Sequence, residues 1–347
     1  MGILRINATR TGQVQSATEG RDWVRDCTEL VSRIPAGAAV TVLIHGYRFS
    51  WRSGPKSCAQ GLLYLDQPVA PSDRRRPPLA DWPARLGFSA TQEAEGLCIA
   101  FGWDARRARL RSLAMRGTND FALVYHGAEA AGRALAQVLG LVANLRPDLR
   151  PGILAHSLGA RVALAAARFR PDLRLGRVIM LAGAEYAGAA QETLALQDRA
   201  GGTGDWLNVT SRANDIYDAL FLAFAPRPAR RGDRPLGWAS LGDMHPRWRD
   251  LQLDHPATRR WLASQGLSVD KPSARRISHW HFYADAAAMA LWGALLRGAP
   301  GWRETPLSAI GLPADTEPVF GRLLPAIPRP VTSARRPIAT DDLLANA

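Results

Sequence analysis

Apolar and polar positions divide the chain into two alternating kinds of segment. Short, nearly continuous apolar runs are typical of strands that are buried on both faces of a sheet. Such runs lie at 39–44, 96–102, 152–155, 175–181, 206–210 and, as a shorter run, 276–278. Longer segments repeat apolar residues at steps of three and four, which is typical of helices packed on a core. These segments lie at 18–34, 119–145, 160–169, 189–199 and 284–297.

Strands that alternate with helices predict an α/β fold with a mostly parallel central sheet covered by helices on both faces. Residues 1–18 are expected to add an edge strand. Residues 48–95 and 225–276 are rich in Pro, Gly and Arg and show little periodicity, so we expect loop-rich excursions from the sheet there. The pattern predicts one domain over 1–300 and a Pro-rich tail over 301–347.

The basic charge of the chain changes this picture little. Lys and Arg number 44 against 31 Asp and Glu, which gives a formal net charge of +13. A basic surface attracts nucleic acid or anionic membrane. The Arg runs, however, are short, scattered and mostly placed in Pro-rich loops, a pattern typical of solvated surface charge. No nucleic-acid partner is therefore expected.

Cysteine usage and the first residues bear on the cellular compartment. The three cysteines, Cys27, Cys58 and Cys98, form no C-x-x-C pair, and their odd number argues against a disulfide framework. The first residues contain no apolar segment of the secretory type, and no run approaches the ~20 apolar residues of a membrane-spanning helix. The sequence thus predicts a cytoplasmic protein without a transmembrane segment.

The stretch from Ala155 to Gly159 joins a predicted strand directly to a predicted helix. Its pattern is small-x-Ser-x-Gly, and this context makes Ser157 a candidate nucleophile on a tight turn. Small residues on both sides of the serine let the strand and the helix approach closely. The N–H of Leu158 opens the helix and can stabilise a developing oxyanion. An ordinary strand-to-helix turn capped by the serine is the structural alternative.

A second motif follows the strand predicted at 39–44, where the chain reads His45, Gly46, Tyr47. A His-Gly pair just past a core strand, well before the serine, is where the other half of an oxyanion hole is expected. The backbone N–H of Tyr47 would be the donor, and Gly46 would let the chain come close to a substrate. His156, which precedes the serine, is expected to line the pocket.

The sequence gives no sign of a metal or nucleotide site. The histidines lack the H-x-x-x-H and H-E-x-x-H spacings, and the cysteines lie far apart. The glycine-rich loop at 201–204 lacks the lysine and the pattern of a phosphate-binding loop. No metal and no cofactor are therefore expected.

In chain order the candidates are Ser157, then an acid after a later strand, then a histidine before the last helix. This order resembles the α/β-hydrolase superfamily, within its bacterial esterase/lipase-like branch of serine hydrolases. The resemblance is carried by residues 45–47, 155–159, 214–215 and 278–280, within roughly residues 38–297. It implies that the serine attacks an acyl carbonyl, that a histidine moves its proton, and that an aspartate orients the histidine.

The acid and the base are each chosen among alternatives. Asp215 is the preferred acid because it follows a predicted strand by only a few residues, and Asp218 and Glu185 remain alternatives. His279 and His281 compete as the base, since side chains two residues apart on an extended segment share a face. His279 is preferred because its His-Trp pair resembles one seen at this position in some hydrolases of the fold.

The expected activity is that of a serine hydrolase that cleaves a carboxylic ester, or a thioester or amide, through an acyl-enzyme. Aromatic residues in the two excursions suggest a small ester substrate with an apolar acyl or aryl group. Two alternatives stay open, namely a non-catalytic binding or interaction module of the same fold and an acyltransferase that uses the same triad. The sequence leaves the oligomeric state open.

Overall fold

A computed structural model describes residues 2–52, 58–65, 81–88, 96–106, 119–267, 277–298, 302, 305–321 and 323. Within these residues the centre of the molecule is an eight-stranded sheet. Its strands are β1 Gly2–Ala8, β2 Val14–Ser16, β3 Ala39–Ile44, β4 Gly96–Trp103, β5 Gly152–His156, β6 Arg174–Leu181, β7 Thr203–Thr210 and β8 Trp248–Gln252. They are ordered β2-β1-β4-β3-β5-β6-β7-β8, and every neighbouring pair is parallel apart from β1 and β2. The predicted α/β class is confirmed.

Helices cover both faces of this sheet. They are α1 Trp23–Ser32, α2 Ala59–Leu62, α3 Trp82–Arg85, α4 Asp120–Leu145, α5 Gly159–Phe169, α6 Ala187–Ala200, α7 Asp215–Phe224, α8 Pro256–Ser264, α9 His281–Ala284 and α10 Ala286–Arg297. Successive strand residues point to opposite faces. Val42 and Ile44 lie in the apolar layer with α1, α4, α5 and α6, whereas Leu43 lies in the layer with α3, α9 and α10. The central strands are thus buried on both sides, as their continuous apolar runs predicted.

The structure corrects three details of the predicted sheet. Residues 1–18, expected to add one edge strand, form two strands, of which β2 lies at the edge of the sheet and β1 lies inside it. The loop excursion expected at 225–276 contains β8, which pairs in parallel with β7. Residues 277 and 278 lie outside the strands, although a short strand was expected at 276–278. The amide of Ser278 donates instead to the carbonyl of Ala213, at 2.9 Å.

Strand β8 escaped the apolar pattern because its polar residues are paired rather than solvated. Asp250 accepts hydrogen bonds from Asn208 Nδ2 at 2.9 Å, Trp248 Nε1 at 3.0 Å and the amide of Gly242 at 2.9 Å. A carboxylate satisfied in this way can occupy a strand next to a core without the cost of an unpaired buried charge.

Segments that follow the last long helix pack back onto the domain. The amide of Leu307 donates to Asp205 Oδ2 at 3.1 Å, and the amide of Glu317 donates to Gln252 Oε1 at 2.7 Å. These bonds attach the described part of the predicted tail to β7 and β8. Much of the excursion predicted at 48–95 lies outside the described residues, as do residues 324–347. Among the helices described, none has both the length and the apolar character needed to cross a membrane.

Candidate active site

The turn between β5 and α5 holds Ser157 in a backbone conformation that few side chains adopt. Its φ is +54°, in the left-handed region, which costs an L-residue about 1–2 kcal/mol. The Ser157 amide donates to the carbonyl of Leu181 at 2.8 Å, and its carbonyl accepts from Ala160 and Ala184, both at 3.0 Å. These three bonds fix the turn. Strain of this kind on a polar residue is concentrated at functional sites.

Two glycines allow the end of β3 to contact this turn. A Cβ placed on Gly159 would lie 2.7 Å from the carbonyl oxygen of Ile44 and 2.9 Å from that of His45. A Cβ placed on Gly46 would lie 2.8 Å from the Cβ of Ser157. Neither approach leaves room for a side chain. The two motifs that the sequence singled out, after β3 and after β5, therefore meet at one place.

Two backbone amides at this junction have no internal acceptor. Within the described part of the chain, neither the N–H of Tyr47 nor that of Leu158 donates a hydrogen bond. Leu158 directly precedes the first residue of α5, where the helix dipole favours negative charge. Unpaired N–H groups beside a serine are what an oxyanion hole requires, because they can bind the charge that develops in acyl transfer.

His279 lies at the same edge of the sheet and is held by an amide. Its Nδ1 is 2.6 Å from Oδ1 of Asn214, the residue that directly precedes α7. An amide oxygen can only accept, so this orientation of the amide assigns the proton to Nδ1 and leaves Nε2 unprotonated. The ring also stacks on Tyr217, with centroids 4.5 Å apart. A general base needs this tautomer, because its unprotonated Nε2 can accept a proton.

His156 connects the nucleophile turn with His279. The two imidazole centroids are 4.6 Å apart, and His156 Nε2 donates to the carbonyl of His279 at 3.0 Å. Burial lowers the pKa of His156 to about 4. Burial, followed by repulsion from His156 and His281, holds the pKa of His279 well below its usual value. The imidazole of His279 is therefore neutral at neutral pH and able to accept a proton.

Ser157 and His279 are neighbours of the same histidine without being bonded to each other. Among the described residues, no hydrogen bond joins Ser157 Oγ to His279 Nε2. Such bonds are often long in unliganded enzymes and tighten when substrate binds.

His281, the competing base, is the first residue of α9. A positive charge on it lowers the pKa of both His156 and His279, so it lies near them. The bond to Asn214, which would orient a catalytic imidazole, is made by His279.

His45 has a structural role in this arrangement. It is fully buried, and its Nε2 accepts the backbone N–H of Trp103 at 3.1 Å. Its Nδ1 lies 2.9 Å from the carbonyl oxygen of Gly46, and burial lowers its pKa to about 4. The neutral ring thus ties the glycine turn to β4.

The carboxylate of Asp215, the acid that the sequence favoured, has other partners. It accepts the amide of Phe320 at 2.6 Å, and its Oδ1 is 3.4 Å from the guanidinium of Arg212. The group that faces His279 is the side chain of the preceding residue, Asn214. A search for an acid passes over this residue because an amide is not an acid, although its oxygen accepts a hydrogen bond equally well.

Glu185, a further alternative, belongs to a different network. It is fully buried, accepts the hydroxyl of Tyr125 at 2.6 Å and pairs with Arg161 at 2.5 Å. Its two oxygens are occupied by these partners and by the amide of Tyr186. This carboxylate therefore links Arg161 of α5 to Tyr125 of α4.

Asp218 lies one helical turn after Asn214 and is 4% exposed. Burial, followed by repulsion from Asp215, raises its pKa to about 8. Gly237 packs directly on it, since a Cβ there would lie 2.1 Å from Asp218 Oδ2.

A cavity of about 680 Å³ lies at the opposite edge of the sheet. It is lined by the first residues of β3, β5 and β7, together with Arg177 and Arg247. Its described lining contains no serine, cysteine or histidine.

Comparison of the sequence with protein-family models gives no match, and comparison with curated proteins gives none either. The fold itself, a mostly parallel eight-stranded sheet flanked by helices, is compatible with that of the α/β-hydrolases.

Proposed function

We propose that the protein is a serine hydrolase that cleaves carboxylic esters through an acyl-enzyme, with Ser157 as the nucleophile and His279 as the general base. One observation carries the proposal. The strained serine turn adjoins His156, whose ring centroid lies 4.6 Å from that of His279, and Nδ1 of His279 is held 2.6 Å from the amide oxygen of Asn214. A serine hydroxyl is too weak an acid to react unaided, so a neutral base with the correct tautomer is the group it needs.

The reaction would proceed in two halves. Ser157 Oγ attacks the carbonyl carbon of the ester while Nε2 of His279 takes the hydroxyl proton. The amides of Tyr47 and Leu158 bind the oxyanion of the tetrahedral intermediate. Collapse breaks the ester bond, and the alcohol leaves with the proton from His279. Water then attacks the acyl-enzyme in the same way and releases the acid.

Asn214 takes the place in which the resemblance implied an aspartate. A Cys-His-Asn arrangement in which an amide orients the catalytic imidazole occurs in an unrelated protease fold. An amide fixes the tautomer and the direction of the ring, but it stabilises the imidazolium less than a carboxylate does.

Aromatic rings around the site support an apolar acyl or aryl group in the substrate. Tyr47 packs edge-on against Phe121 at 5.3 Å, and Phe121 against Phe221 at 6.2 Å. Tyr217, stacked on His279, contacts Trp280 at 6.1 Å. Gly46 and His156, which contact the serine turn, would line the same pocket.

Labelling with a fluorophosphonate tests the proposal, because this probe reacts only with an activated serine. We expect the wild-type protein to be labelled, and Ser157→Ala to lose the label. Ser264→Ala, which removes an exposed hydroxyl from α8, serves as the matched control and should be labelled as the wild type is. Folded wild-type protein that takes no label would refute the proposal and favour a binding module.

A further inference from the structure

We infer that Tyr217 is a positioning residue for the proposed reaction, whose ring holds the plane of the His279 imidazole and stabilises the positive charge that His279 gains from the proton of Ser157. The inference rests on the proposed function, because it concerns the charged state of the base. Its geometry, an aromatic ring stacked on an imidazole, is present irrespective of any reaction.

Helix α7 brings two side chains to His279. Asn214 directly precedes the helix and Tyr217 follows three residues later, so both lie on the same side of its first turn. The amide oxygen of Asn214 meets the edge of the imidazole, 2.6 Å from Nδ1. The ring of Tyr217 covers a face of the imidazole, with the centroids 4.5 Å apart and the planes inclined by 20°. The start of one helix therefore sets both the direction of Nδ1 and the plane of the ring.

The imidazolium of His279 has no carboxylate to balance its charge. Within the described residues, no hydrogen bond or ion pair joins His279 to a carboxyl group. The titratable groups whose charge acts on it, His156 of β5 and His281 of α9, both repel a positive charge. The oxygen of Asn214 is the end of a dipole, and it stabilises a cation less than a carboxylate does. Transfer of the proton therefore needs another source of stabilisation.

The two carboxyl groups at the start of α7 have other partners. Asp215 accepts the amide of Phe320 at 2.6 Å and lies 3.4 Å from the guanidinium of Arg212. Asp218 packs against Gly237, where a Cβ would lie 2.1 Å from its Oδ2. Burial raises the pKa of Asp218 to about 8, so this group is mostly protonated at neutral pH. Neither carboxyl group supplies a counter-ion for the base.

An aromatic ring in this position supplies what the amide lacks. The face of such a ring carries partial negative charge and attracts a cation within about 6 Å of its centroid, most strongly where water is excluded. The separation of 4.5 Å lies inside that limit, and His279 is partly buried. Because the attraction acts on the charge, it is larger for the imidazolium than for the neutral imidazole. It therefore lowers the barrier to proton transfer rather than merely holding the base in place.

Rates of fluorophosphonate labelling test the role of the ring. Tyr217→Phe keeps the aromatic face and should change the labelling rate less than about 3-fold, whereas Tyr217→Leu should lower it about 5- to 30-fold. Phe169→Leu is the matched control, because the Phe169 ring also contacts a cation, Arg133 at 4.8 Å, but lies at the last residue of α5. The control should be labelled as fast as the wild type. Equal rates in Tyr217→Leu and the wild type would overturn the inference.

A graded series of rings separates stabilisation of charge from packing. Phenylalanine with no, one, two or three ring fluorines can be incorporated at position 217 with little change in shape. Each fluorine withdraws electron density from the face of the ring and weakens its attraction for a cation. We expect the labelling rate to fall with each added fluorine, toward that of Tyr217→Leu. A rate that is independent of the number of fluorines would assign the ring to packing alone and overturn the inference.

The pKa of His279 gives a readout that needs no activity. Asn214→Asp places a carboxylate beside the imidazole and raises the pKa of His279 toward neutral pH, where it is readily measured by NMR titration. In that background, adding Tyr217→Leu should make the pKa of His279 about 0.4–1.5 lower, because the imidazolium loses its contact with the ring. An unchanged or higher pKa would overturn the inference.

The proposed function and the role of Tyr217 fail in different ways. If the wild type takes no fluorophosphonate but Tyr217→Leu lowers the pKa of His279, the contact between ring and imidazolium stands and the hydrolase function falls. If the wild type is labelled at Ser157 but neither Tyr217→Leu nor ring fluorination changes the rate, the hydrolase function stands and the role of Tyr217 falls.

Discussion

Asp218→Asn is expected to stabilise the protein at neutral pH, although it replaces a buried side chain that contacts the candidate active site. The carboxyl group is buried beside Asp215, and these two causes raise its pKa from 3.8 to about 8. At pH 7 the native state therefore keeps a proton that the unfolded chain has already released. Such a group makes the free energy of unfolding fall as the pH rises from about 4 to about 8.

The size of the effect follows from the pKa difference. Each pKa unit corresponds to about 1.4 kcal/mol, so holding the proton at pH 7 costs the native state about 4 kcal/mol. The Asn side chain does not titrate, but its buried nitrogen brings N–H groups that lack acceptors, at a cost of about 1–3 kcal/mol. The net gain expected for Asp218→Asn at pH 7 is about 2 kcal/mol. Below about pH 3 the carboxyl group is protonated in both states, and only the cost remains.

Urea unfolding of both proteins at pH 4.5, 6 and 7.5 measures this difference directly. The stability of Asp218→Asn relative to the wild type should rise by about 3–4 kcal/mol across the series. Asp172→Asn is the control, because Asp172 pairs with Arg170 at the surface and such pairs contribute at most about 1 kcal/mol. A constant difference between Asp218→Asn and the wild type would refute the reasoning, since it would mean that the buried carboxyl group titrates normally.

Three further predictions concern the serine turn and the base. In urea unfolding, Ser157→Gly should be about 0.5–1 kcal/mol more stable than Ser157→Ala, because glycine adopts the positive φ without strain. Equal stabilities of the two variants would contradict backbone strain at position 157. Gly159→Ala should lower the free energy of unfolding by at least about 2 kcal/mol, because the new Cβ clashes with two carbonyl groups. Gly127→Ala, in open space within α4, should raise it by about 0.5–1 kcal/mol. His279→Ala should lower the rate of fluorophosphonate labelling at least about 10³-fold, and His281→Ala less than about 10-fold. The reverse order would identify His281 as the base.

The sequence predicted the central sheet well because parallel strands buried on both faces leave continuous apolar runs. Strand β3 was predicted with its observed bounds, 39–44, and the runs that became β5 and β6 were placed to within one residue. Strand β8 was missed because Asp250 and its neighbours pair with Asn208 across the sheet. Such pairing depends on the tertiary structure, so it cannot be predicted from the hydropathy of the segment.

For the candidate site, the sequence located the motifs but not the partner of the base. The turn at Ser157 and the glycine at position 46 were found because each directly follows a predicted strand, in a motif whose small residues are recognisable from the sequence. Asn214 was passed over for Asp215, one residue later, because which of two adjacent side chains faces the histidine depends on how α7 begins. One local sign is Ser211, whose side chain caps the short turn before α7. The roles assigned to these residues remain predictions.

The amide at position 214 is consistent with the charges that surround it. Asp215 and Asp218 are buried within one turn. Burial raises the pKa of both, and repulsion adds to it, from Asp254 at Asp215 and from Asp215 at Asp218. A third carboxylate at position 214 would be costly to ionise, so an amide is the side chain that orients His279 without adding charge. The pKa of His279 is low because burial, followed by repulsion from His156 and His281, disfavours the imidazolium, and an amide adds no charge that would oppose this. Labelling of Ser157 should therefore persist well below pH 6.5, and Asn214→Asp should move its loss to higher pH, since a carboxylate raises the pKa of the base. A labelling rate that falls with an apparent pKa near 6.5 in the wild type would show that His279 is solvated, and the neutral arrangement argued for it would be wrong.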